Sequence, residues 1–482
     1  MNFKISILLF LFISFFTSNA QKEVASLKID DNTSMLPKQK EGYTLLNSRT
    51  GDLVIVMIEK KKGYAGFIDK NFKEKSVLNF DILASRYGNV MGYNIDGETY
   101  KILFSNSSKG KFAILTIDFN TKAASKNELD FDFDDYAEKY LETVQYNNQL
   151  FVLSANKENK LIIRGLGDNG LTTLKSFSIN SDSKNQKLLK RDDLFSSLKS
   201  NITKVDNRVP NAIEQTAADN KLYQSDSLIY LTIESKGGLQ TILYSIDLEN
   251  FTLEQTSFEY PKGRVGDFKK YNSFIIEDKI FQLGSSDNEM KIIIKNFGGE
   301  ILKEFYIEKN QPISFKNSPI IQDGQTFVPF VNHREMEETS KYLRKVSSGN
   351  IGITGYRDNN LYHFTIGGYI ELKGGGMGMM GGDYNTTISA SGGIPSVSTT
   401  YINPTFYSYS TYSSTKSTFF NTHLDADFNY VEKEENENIF DRIKEFKKDI
   451  QYESAEDVFI HGGKVYFSYY NLKEKLLKII KM

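Results

Sequence analysis

Leu53–Asp69 reads LVIVMIEKKKGYAGFID, two apolar runs joined by a short polar segment rich in lysine. The runs Leu53–Ile58 and Tyr64–Asp69 are apolar at nearly every position, and a third, alternating run follows at Val77–Phe80. A strand with one face in water alternates apolar and polar residues, whereas an unbroken apolar run indicates burial on both faces. The stretch therefore predicts paired strands inside a layered β structure.

The same three-strand unit recurs along the chain. Its first strand is found at Thr99–Phe104, Leu150–Leu153, Leu228–Ile233, Lys279–Leu283, Thr326–Val331 and Lys464–Tyr470. Its second strand is found at Phe112–Asp118, Lys160–Leu166, Thr241–Asp247 and Lys291–Phe297. Successive units lie about fifty residues apart, and sheets of four strands repeated at about 40–50 residues are the sequence signature of a β-propeller. We therefore predict an all-β protein, a β-propeller whose sheets stack around an axis.

The two ends of the chain are predicted to close the ring. Val458–His461, Lys464–Tyr470 and Leu476–Ile480 give three strands of a last sheet, and Glu23–Ile29 can add the fourth. Joining the termini in one sheet removes an exposed strand edge. Counting the units gives seven blades; six and eight remain open, because insertions blur the repeat between residues 317 and 432.

The first twenty residues predict export. A basic start, the twelve-residue apolar run Ile5–Phe16 and small residues at Ser18 and Ala20 form a secretory signal peptide. Gln21 follows where a bacterial lipoprotein would have cysteine. We expect a single propeller domain over 21–482, located in the periplasm or at the cell surface.

Composition excludes several kinds of chemistry. The chain has no cysteine, which excludes disulfides, a thiol nucleophile and cysteine-ligated metals. Its formal net charge of −2 lacks the basic excess of a nucleic-acid binder. After the signal peptide no apolar run approaches the roughly 20 residues of a membrane span. We expect no metal, no cofactor, no nucleic acid and no transmembrane segment.

Known propeller signatures are missing, because the chain has no tryptophan for a Trp-Asp repeat or an aspartate box. The chain resembles the loosely patterned, divergent propellers of secreted Bacteroidota proteins. Their signal peptides often end in Ala-Gln, as at Ala20 and Gln21, and their composition is rich in Lys, Asn and Ile. The resemblance implies architecture and export, and it assigns no functional residues.

Four insertions interrupt the repeat, at residues 181–220, 332–349, 374–417 and 432–453. Short helices are predicted at Asp192–Leu198 and Glu335–Val346. A third is predicted in the last insertion, where apolar residues recur at helical spacing. The insertion 374–417 is rich in Gly, Ser, Thr and Tyr, a composition that predicts no ordered structure. Because loops carry binding while blades carry the fold, we expect function in these insertions.

Six residues of two insertions are candidates for partner binding. Arg208 can grip a carboxylate or a sugar hydroxyl, acidic neighbours can accept protons, and tyrosines offer flat amphipathic contact area. The candidates are Asp206, Arg208, Glu214, Tyr401, Tyr407 and Tyr409. The alternatives are a capping segment with Arg208 paired to a neighbour, and a tyrosine-rich tract without a dedicated partner.

Other motifs are weaker. The G-x-G-x-x-G match at Gly376–Gly381 lacks the following helix and acidic residue of a dinucleotide fold. The four histidines, far apart in sequence, are expected to have separate roles, although the fold could gather two of them. They are His333, His363, His423 and His461.

These observations favour an exported, non-catalytic propeller that binds a protein or glycan of the cell envelope through loops on one face. Two alternatives stay open. One is a carbohydrate-active enzyme with two carboxylates about 5–10 Å apart near the axis; the other is a structural component of the envelope. The sequence predicts no catalytic residue and does not decide whether the protein is an enzyme. It predicts no oligomeric state.

Overall fold

A computed structural model describes most of the chain after the predicted signal peptide, which lies outside the described residues. The described residues are 21–29, 40–59, 62–82, 86–131, 133, 137–168, 170–179, 194–197, 202–323, 333–358, 360–370, 403–412, 417–434 and 437–482. Within them the chain is almost entirely β. No helix in this part has the length and hydrophobicity needed to cross a bilayer.

Seven sheets form the blades of a β-propeller, as the repeat predicted. The chain begins with β1 (Lys22–Lys28), which belongs to blade seven. Blade one holds β2 (Glu41–Leu46), β3 (Leu53–Glu59), β4 (Lys62–Ile68) and β5 (Glu74–Asp81). Blade two holds β6 (Asn89–Asp96), β7 (Thr99–Ser105), β8 (Phe112–Asp118) and β9 (Ala123–Leu129). Blade three holds β10 (Glu138–Tyr146), β11 (Gln149–Asn156), β12 (Lys160–Gly167) and β13 (Gly170–Ser178).

The later blades carry the additions. Blade four holds β14 (Thr203–Val205), β15 (Asn220–Ser225), β16 (Leu228–Ser235), β17 (Gln240–Asp247) and β18 (Thr252–Glu259). Blade five holds β19 (Lys270–Ile276), β20 (Lys279–Ser285), β21 (Glu289–Asn296) and β22 (Ile301–Glu308). Blade six holds β23 (Ile320–Asp323), β24 (His333–Met336), β25 (Asn350–Asp358), β26 (Leu361–Tyr369) and β27 (Ser417–Leu424). Blade seven adds β28 (Glu453–His461), β29 (Lys464–Asn471) and β30 (Leu476–Lys481) to β1.

Five short helices accompany the strands in the described part of the chain. They are α1 (Leu194–Ser197), α2 (Ile213–Thr216), α3 (Thr339–Ser348), α4 (Pro404–Tyr412) and α5 (Ile439–Lys448). The helices expected at Asp192–Leu198 and in 432–453 are present as α1 and α5. All five lie in the insertions, so the blades themselves remain purely β.

The ring closes as the sequence predicted. β1 pairs antiparallel with β30, with Glu23 opposite Ile480 and Lys28 opposite Leu476. The sheet order of blade seven is therefore β1-β30-β29-β28, and the N-terminal strand is its outer edge. Blade seven also packs against blade one, where the backbone N–H of Thr44 donates to the Asp457 carboxylate at 2.8 Å. The two ends of the chain thus hold one blade together.

Apolar side chains between neighbouring blades form the core. Separate clusters join blades one and two, two and three, three and four, and seven and one. One large cluster runs through blades four, five and six. Phe67 of β4 and Tyr100 of β7, for example, meet edge to face with their ring centroids 6.2 Å apart. This burial on both faces of the middle strands explains their unbroken apolar runs.

Blade six departs from the predicted unit. The predicted strand Thr326–Val331 lies outside the described residues. The helix predicted over Glu335–Val346 is wrong at its start, because His333–Met336 forms β24 and α3 begins only at Thr339. β24 pairs with β23, which satisfies the backbone hydrogen bonds of this segment in a sheet instead of a helix. The blade order is β24-β23-β27-β26-β25.

Candidate functional site

Asp206 and Arg208 form an ion pair just after β14. The Asp206 carboxylate accepts hydrogen bonds from Arg208 at 2.7 and 2.9 Å and from the Thr405 hydroxyl at 2.6 Å. Burial opposes ionisation of this carboxyl, yet the Arg208 charge and these hydrogen bonds hold the pKa of Asp206 below its usual value. The residue is 4% exposed. Its carboxylate therefore ties the insertion at 181–220 to the insertion at 374–417.

The other predicted binding residues lie nearby, with one exception. Glu214 occupies the first turn of α2 and is half-buried. On α4, Tyr407 is half-buried, whereas Tyr409 is buried with its ring centroid 5.4 Å from that of Phe440. Tyr401 lies outside the described residues. Partner binding by these side chains stays a prediction, and a buried residue such as Tyr409 can serve it only by supporting its neighbours.

Helix α4 corrects the expectation that 374–417 has no ordered structure. Its buried groups are largely hydroxyls, which the low-complexity composition hid. Thr405 donates to the Asp206 carboxylate, and Ser408 donates to the side-chain oxygen of Asn211 at 2.6 Å. Hydrogen bonds to partners on another insertion therefore order a segment that has few aliphatic side chains.

Three of the four insertions meet at one place. The Thr411 hydroxyl of α4 donates to the side-chain oxygen of Gln215 on α2 at 2.8 Å. The side-chain amide of Asn438, which caps α5, donates to the Tyr412 hydroxyl at 2.6 Å. α2 in turn lies directly on β25, where a Cβ at Gly352 would come within 3.1 Å of an α2 carbonyl oxygen. The insertions thus form one unit between blades six and seven.

This unit covers a face of blade seven. Two fully buried residues of α5, Phe440 and Ile443, lie at the centre of its apolar cluster. The cluster comprises Val209, Tyr409, Phe440, Ile443, Val458, Phe467, Tyr469 and Ile480. Among the described residues, every other pair of neighbouring blades shares an apolar cluster to which strands of both blades contribute, with a few residues of α1 and α3 added. In the described part of the chain, the helices take the position that direct packing between blades has elsewhere.

The face of blade six that looks toward the helices is polar. Alternate residues of a strand point to opposite faces of its sheet. Tyr362, Phe364 and Ile366 of β26 enter the core shared with blade five. The opposite face of the sheet carries Thr354, Tyr356, His363, Thr365, Asn421 and His423, matched across the strands by their register.

A cavity of about 180 Å³ separates this polar face from the inserted unit. Pro210–Ile213 form one wall, and Tyr412, Asp441 and Lys444 form another. A cavity of about 150 Å³ is enough to hold a benzene ring. The space therefore suits a molecule or group the size of a single ring.

His363 and His423 lie side by side in the cavity wall, so the fold gathers two of the four histidines that are far apart in sequence. They are register partners on β26 and β27, and their ring centroids are 4.5 Å apart. The Tyr356 ring stacks on His363 with centroids 5.0 Å apart and ring planes 9° apart. The sequence signal was weak: each histidine lies in an alternating strand, but the insertion at 374–417 separates the two strands.

Both imidazoles favour the neutral form. Burial lowers the pKa of His363. Burial, the neighbouring imidazole and the Lys433 charge lower the pKa of His423 to about 4. A neutral imidazole has one nitrogen that donates and one that accepts a hydrogen bond. At neutral pH the pair therefore offers both functions to the cavity.

Two buried polar atoms of the cavity wall lack a partner among the described residues. They are Nδ1 of His423 and Oγ1 of Thr354, whose residues are 4% and 2% exposed. A buried polar atom without a hydrogen bond costs about 1–3 kcal/mol, so its presence calls for an explanation. A molecule bound in the cavity would supply the missing bonds.

Charges of both signs lie on the α5 side of the cavity. Burial lowers the pKa of Lys444, and the carboxylates of Asp441 and Asp323 oppose that shift. The Lys444 ammonium stands 4.5 Å above the Tyr412 ring centroid. No group of three or more His, Asp or Glu side chains suited to a metal ion occurs within the described residues.

No protein-family model and no curated protein matches the chain. One similar solved structure is the N-terminal domain of Nup159, which is 10% identical to this chain. The match covers 95% of this chain and 94% of that chain, and its TM-score is 0.34. The β-propeller domain of the Trilobed protease from Pyrococcus furiosus has 9% identity, 68% and 78% coverage and a TM-score of 0.29. A Lactobacillus plantarum protein has 11% identity, 68% and 80% coverage and a TM-score of 0.27. Similarities this weak carry no argument about function.

Proposed function

We propose that this protein is an exported, non-catalytic β-propeller that binds a glycan in the cavity between blade six and the inserted helices. The observation that carries the proposal is the pair of buried, unpartnered polar atoms, on Thr354 and His423, in the wall of a ring-sized cavity. Export rests on the signal-peptide pattern of the first twenty residues.

The shape of the site favours a glycan over a protein partner. A stable protein–protein interface buries at least about 1,000 Å² of surface, whereas small ligands occupy concave sites with a few convergent polar groups. The cavity is of the second kind. Asp206 and Arg208, predicted to touch the partner, act here through Thr405 by holding α4 against the insertion at 181–220.

The carboxyl groups that line the cavity favour a binding role over catalysis. The Asp441 side chain accepts a hydrogen bond from the backbone N–H of Asn438 as part of the cap of α5. Glycoside hydrolysis needs one carboxylic acid and one carboxylate, both facing the scissile bond. A carboxylate held in a helix cap is poorly placed for either role, and Asp323, the other carboxyl group of the described lining, cannot fill both roles, so the lining suits recognition.

The test is a binding screen of the chain from residue 21 against cell-envelope glycans, with turnover followed in the same samples. The variant His363→Ala should weaken the binding of any captured glycan about tenfold, because it removes the ring on which Tyr356 stacks. His461→Ala is the matched control, since His461 also contacts an aromatic ring, that of Phe72 at 5.4 Å between centroids, but lies in blade seven. Cleavage of the glycan, or equal losses in both variants, would contradict the proposal.

A further inference from the structure

The size of the cavity limits its occupant to one ring. Its volume of about 180 Å³ is bounded on one side by a β-sheet and on the other by α5 and the residues before α2. The Tyr356 ring and the His363 ring both line the cavity and stack on each other with their centroids 5.0 Å apart. Flat rings of this kind give a ligand apolar contact area with a fixed orientation.

The unpartnered atoms specify the hydrogen bonding of that occupant. Nδ1 of His423 is a donor in one neutral tautomer and an acceptor in the other, and Oγ1 of Thr354 can do either. A hydroxyl group also donates and accepts, so it satisfies both atoms whichever tautomer is present. A ligand that only donates or only accepts would fit one tautomer alone.

The charges around the cavity disfavour an ionised occupant. The Lys444 ammonium already interacts electrostatically with the carboxylates of Asp441 and Asp323, so neither sign of charge in the wall is left as a matched partner for an ionised ligand. Moving a charge out of water without a matched partner costs far more than a hydrogen bond returns. A neutral ligand avoids both penalties, and the neutral imidazoles place no further charge beside it.

We propose that the cavity takes one uncharged, polyhydroxylated ring, such as a neutral pyranose unit, hydrogen-bonded by Nδ1 of His423 and Oγ1 of Thr354. The inference rests on the proposed function and names the chemical class of its ligand. The ring can be a free monosaccharide or the end of an oligosaccharide, since both present the same hydroxyl groups.

The experiment is titration calorimetry of the chain from residue 21 with methyl glycosides of neutral hexoses, the matching uronic acids and the matching amino sugars. A second arm compares each neutral ring with the same ring at the end of an oligosaccharide. We expect the neutral rings to bind about tenfold more tightly than either charged analogue. Preference for the oligosaccharide end identifies a polymer as the source, and preference for the free ring identifies a monosaccharide; both support the class.

The variant Thr354→Val tests the site, because it keeps the shape of the side chain and removes only the unpartnered hydroxyl. We expect about tenfold weaker binding with unchanged or higher stability. Thr422→Val is the matched control: its hydroxyl is also buried and unpartnered among the described residues, but it faces the opposite side of β27. Its affinity should stay within about twofold of the unsubstituted chain.

The outcomes separate the two proposals. If no saccharide of any class binds, the proposed function fails, and ordered water is the occupant that satisfies the two polar atoms. If the uronic acids or the amino sugars bind as tightly as the neutral rings, the inference about class is overturned while glycan binding stands. Equal losses in the two threonine variants would place the ligand away from Thr354.

Discussion

His423 belongs both to the buried part of blade six and to the wall of the cavity proposed as the binding site. Its ring is almost fully buried, its Nδ1 lacks a partner among the described residues, and its neighbour across the strand is another histidine. Burial and the nearby positive charge of Lys433 lower its pKa to about 4. The folded protein therefore keeps this imidazole neutral at pH values where an exposed histidine is protonated.

This pKa predicts a pH dependence of stability. The ordinary pKa of 6.5 applies to the unfolded chain, so between pH 6.5 and about 4 the unfolded state binds a proton that the folded state does not. The contribution is fully present above pH 6.5 and is lost as the pH falls toward 4. Between pH 7 and pH 4.5 we expect the free energy of unfolding of His423→Gln to fall by about 1–2 kcal/mol less than that of the unsubstituted chain. This figure is reduced to allow for screening of the imidazole by solvent.

The measurement is the free energy of unfolding by urea at pH 7 and pH 4.5 for both proteins. Thr422→Val, which removes a buried group of β27 that does not titrate, serves as the control and should keep the pH dependence of the unsubstituted chain. A His423→Gln protein that loses as much stability on acidification as the unsubstituted chain would show that the imidazole is solvated and not held neutral by burial.

At the scale of single elements, the sequence revealed the middle strands of the blades more clearly than the inner ones. β3 is buried along five consecutive residues, Leu53–Met57, and its composition shows that directly. The inner strands mix polar and apolar residues: β10, Glu138–Tyr146, reads EKYLETVQY. A polar side chain of β10 pairs with an inserted segment, because the Glu142 carboxylate lies 3.6 Å from the Lys204 ammonium. Composition alone cannot show such pairing.

The candidate site was harder to predict than the fold for a related reason. The sequence pointed to the insertions, and three of them do meet at the cavity. The polar wall, however, belongs to a blade, and β26 and β27 become neighbours only across the insertion at 374–417. A single sequence does not show that His363 and His423 pair, because no periodicity spans a gap of that length.

Helix α5 depends on its N-cap residue, Asn438, which gives a prediction for this element. The side-chain oxygen of Asn438 accepts hydrogen bonds from the backbone N–H groups of Phe440 and Asp441 at 2.9 and 3.1 Å, and its amide donates to Tyr412. Replacing an N-cap asparagine by alanine costs about 0.5–2 kcal/mol. We expect Asn438→Ala to lower the free energy of unfolding by about 1–2 kcal/mol.

The same substitution should weaken ligand binding, because α5 carries Lys444 into the cavity wall. Urea unfolding and calorimetry on one preparation measure both effects. Glu338→Ala is the control, since Glu338 precedes α3 without forming a side-chain cap. It should change stability by less than about 0.5 kcal/mol. A loss of stability no larger in Asn438→Ala than in this control would contradict the role given to the cap.

At the scale of the whole molecule, one junction between blades differs from the rest. Sheets pack on sheets around most of the ring, and this packing fills the space between them with apolar side chains. Between blades six and seven the inserted helices bury the face of blade seven and leave the opposing face of blade six polar. A propeller built this way keeps apolar packing between its other blades and has a cavity between blades six and seven.

Closure of the ring by β1 gives the prediction for the molecule as a whole. β1 covers the edge of β30, and the fully buried side chains of Leu27 and Ile29 pack against blades seven and one. Burying one such side chain stabilises a protein by about 1.5–3 kcal/mol. A chain that begins at residue 30 should therefore lose about 3–6 kcal/mol relative to one that begins at residue 21. It should also self-associate through the exposed edge of β30.

Urea unfolding and light scattering at several protein concentrations measure the two effects. The control replaces Lys22 and Lys28 by alanine, because both side chains are exposed and the strand itself is kept. This control should unfold and scatter as the unsubstituted chain does. If the shortened chain matches it in both assays, the last blade is stable with three strands, and the N-terminal strand does not close the ring energetically.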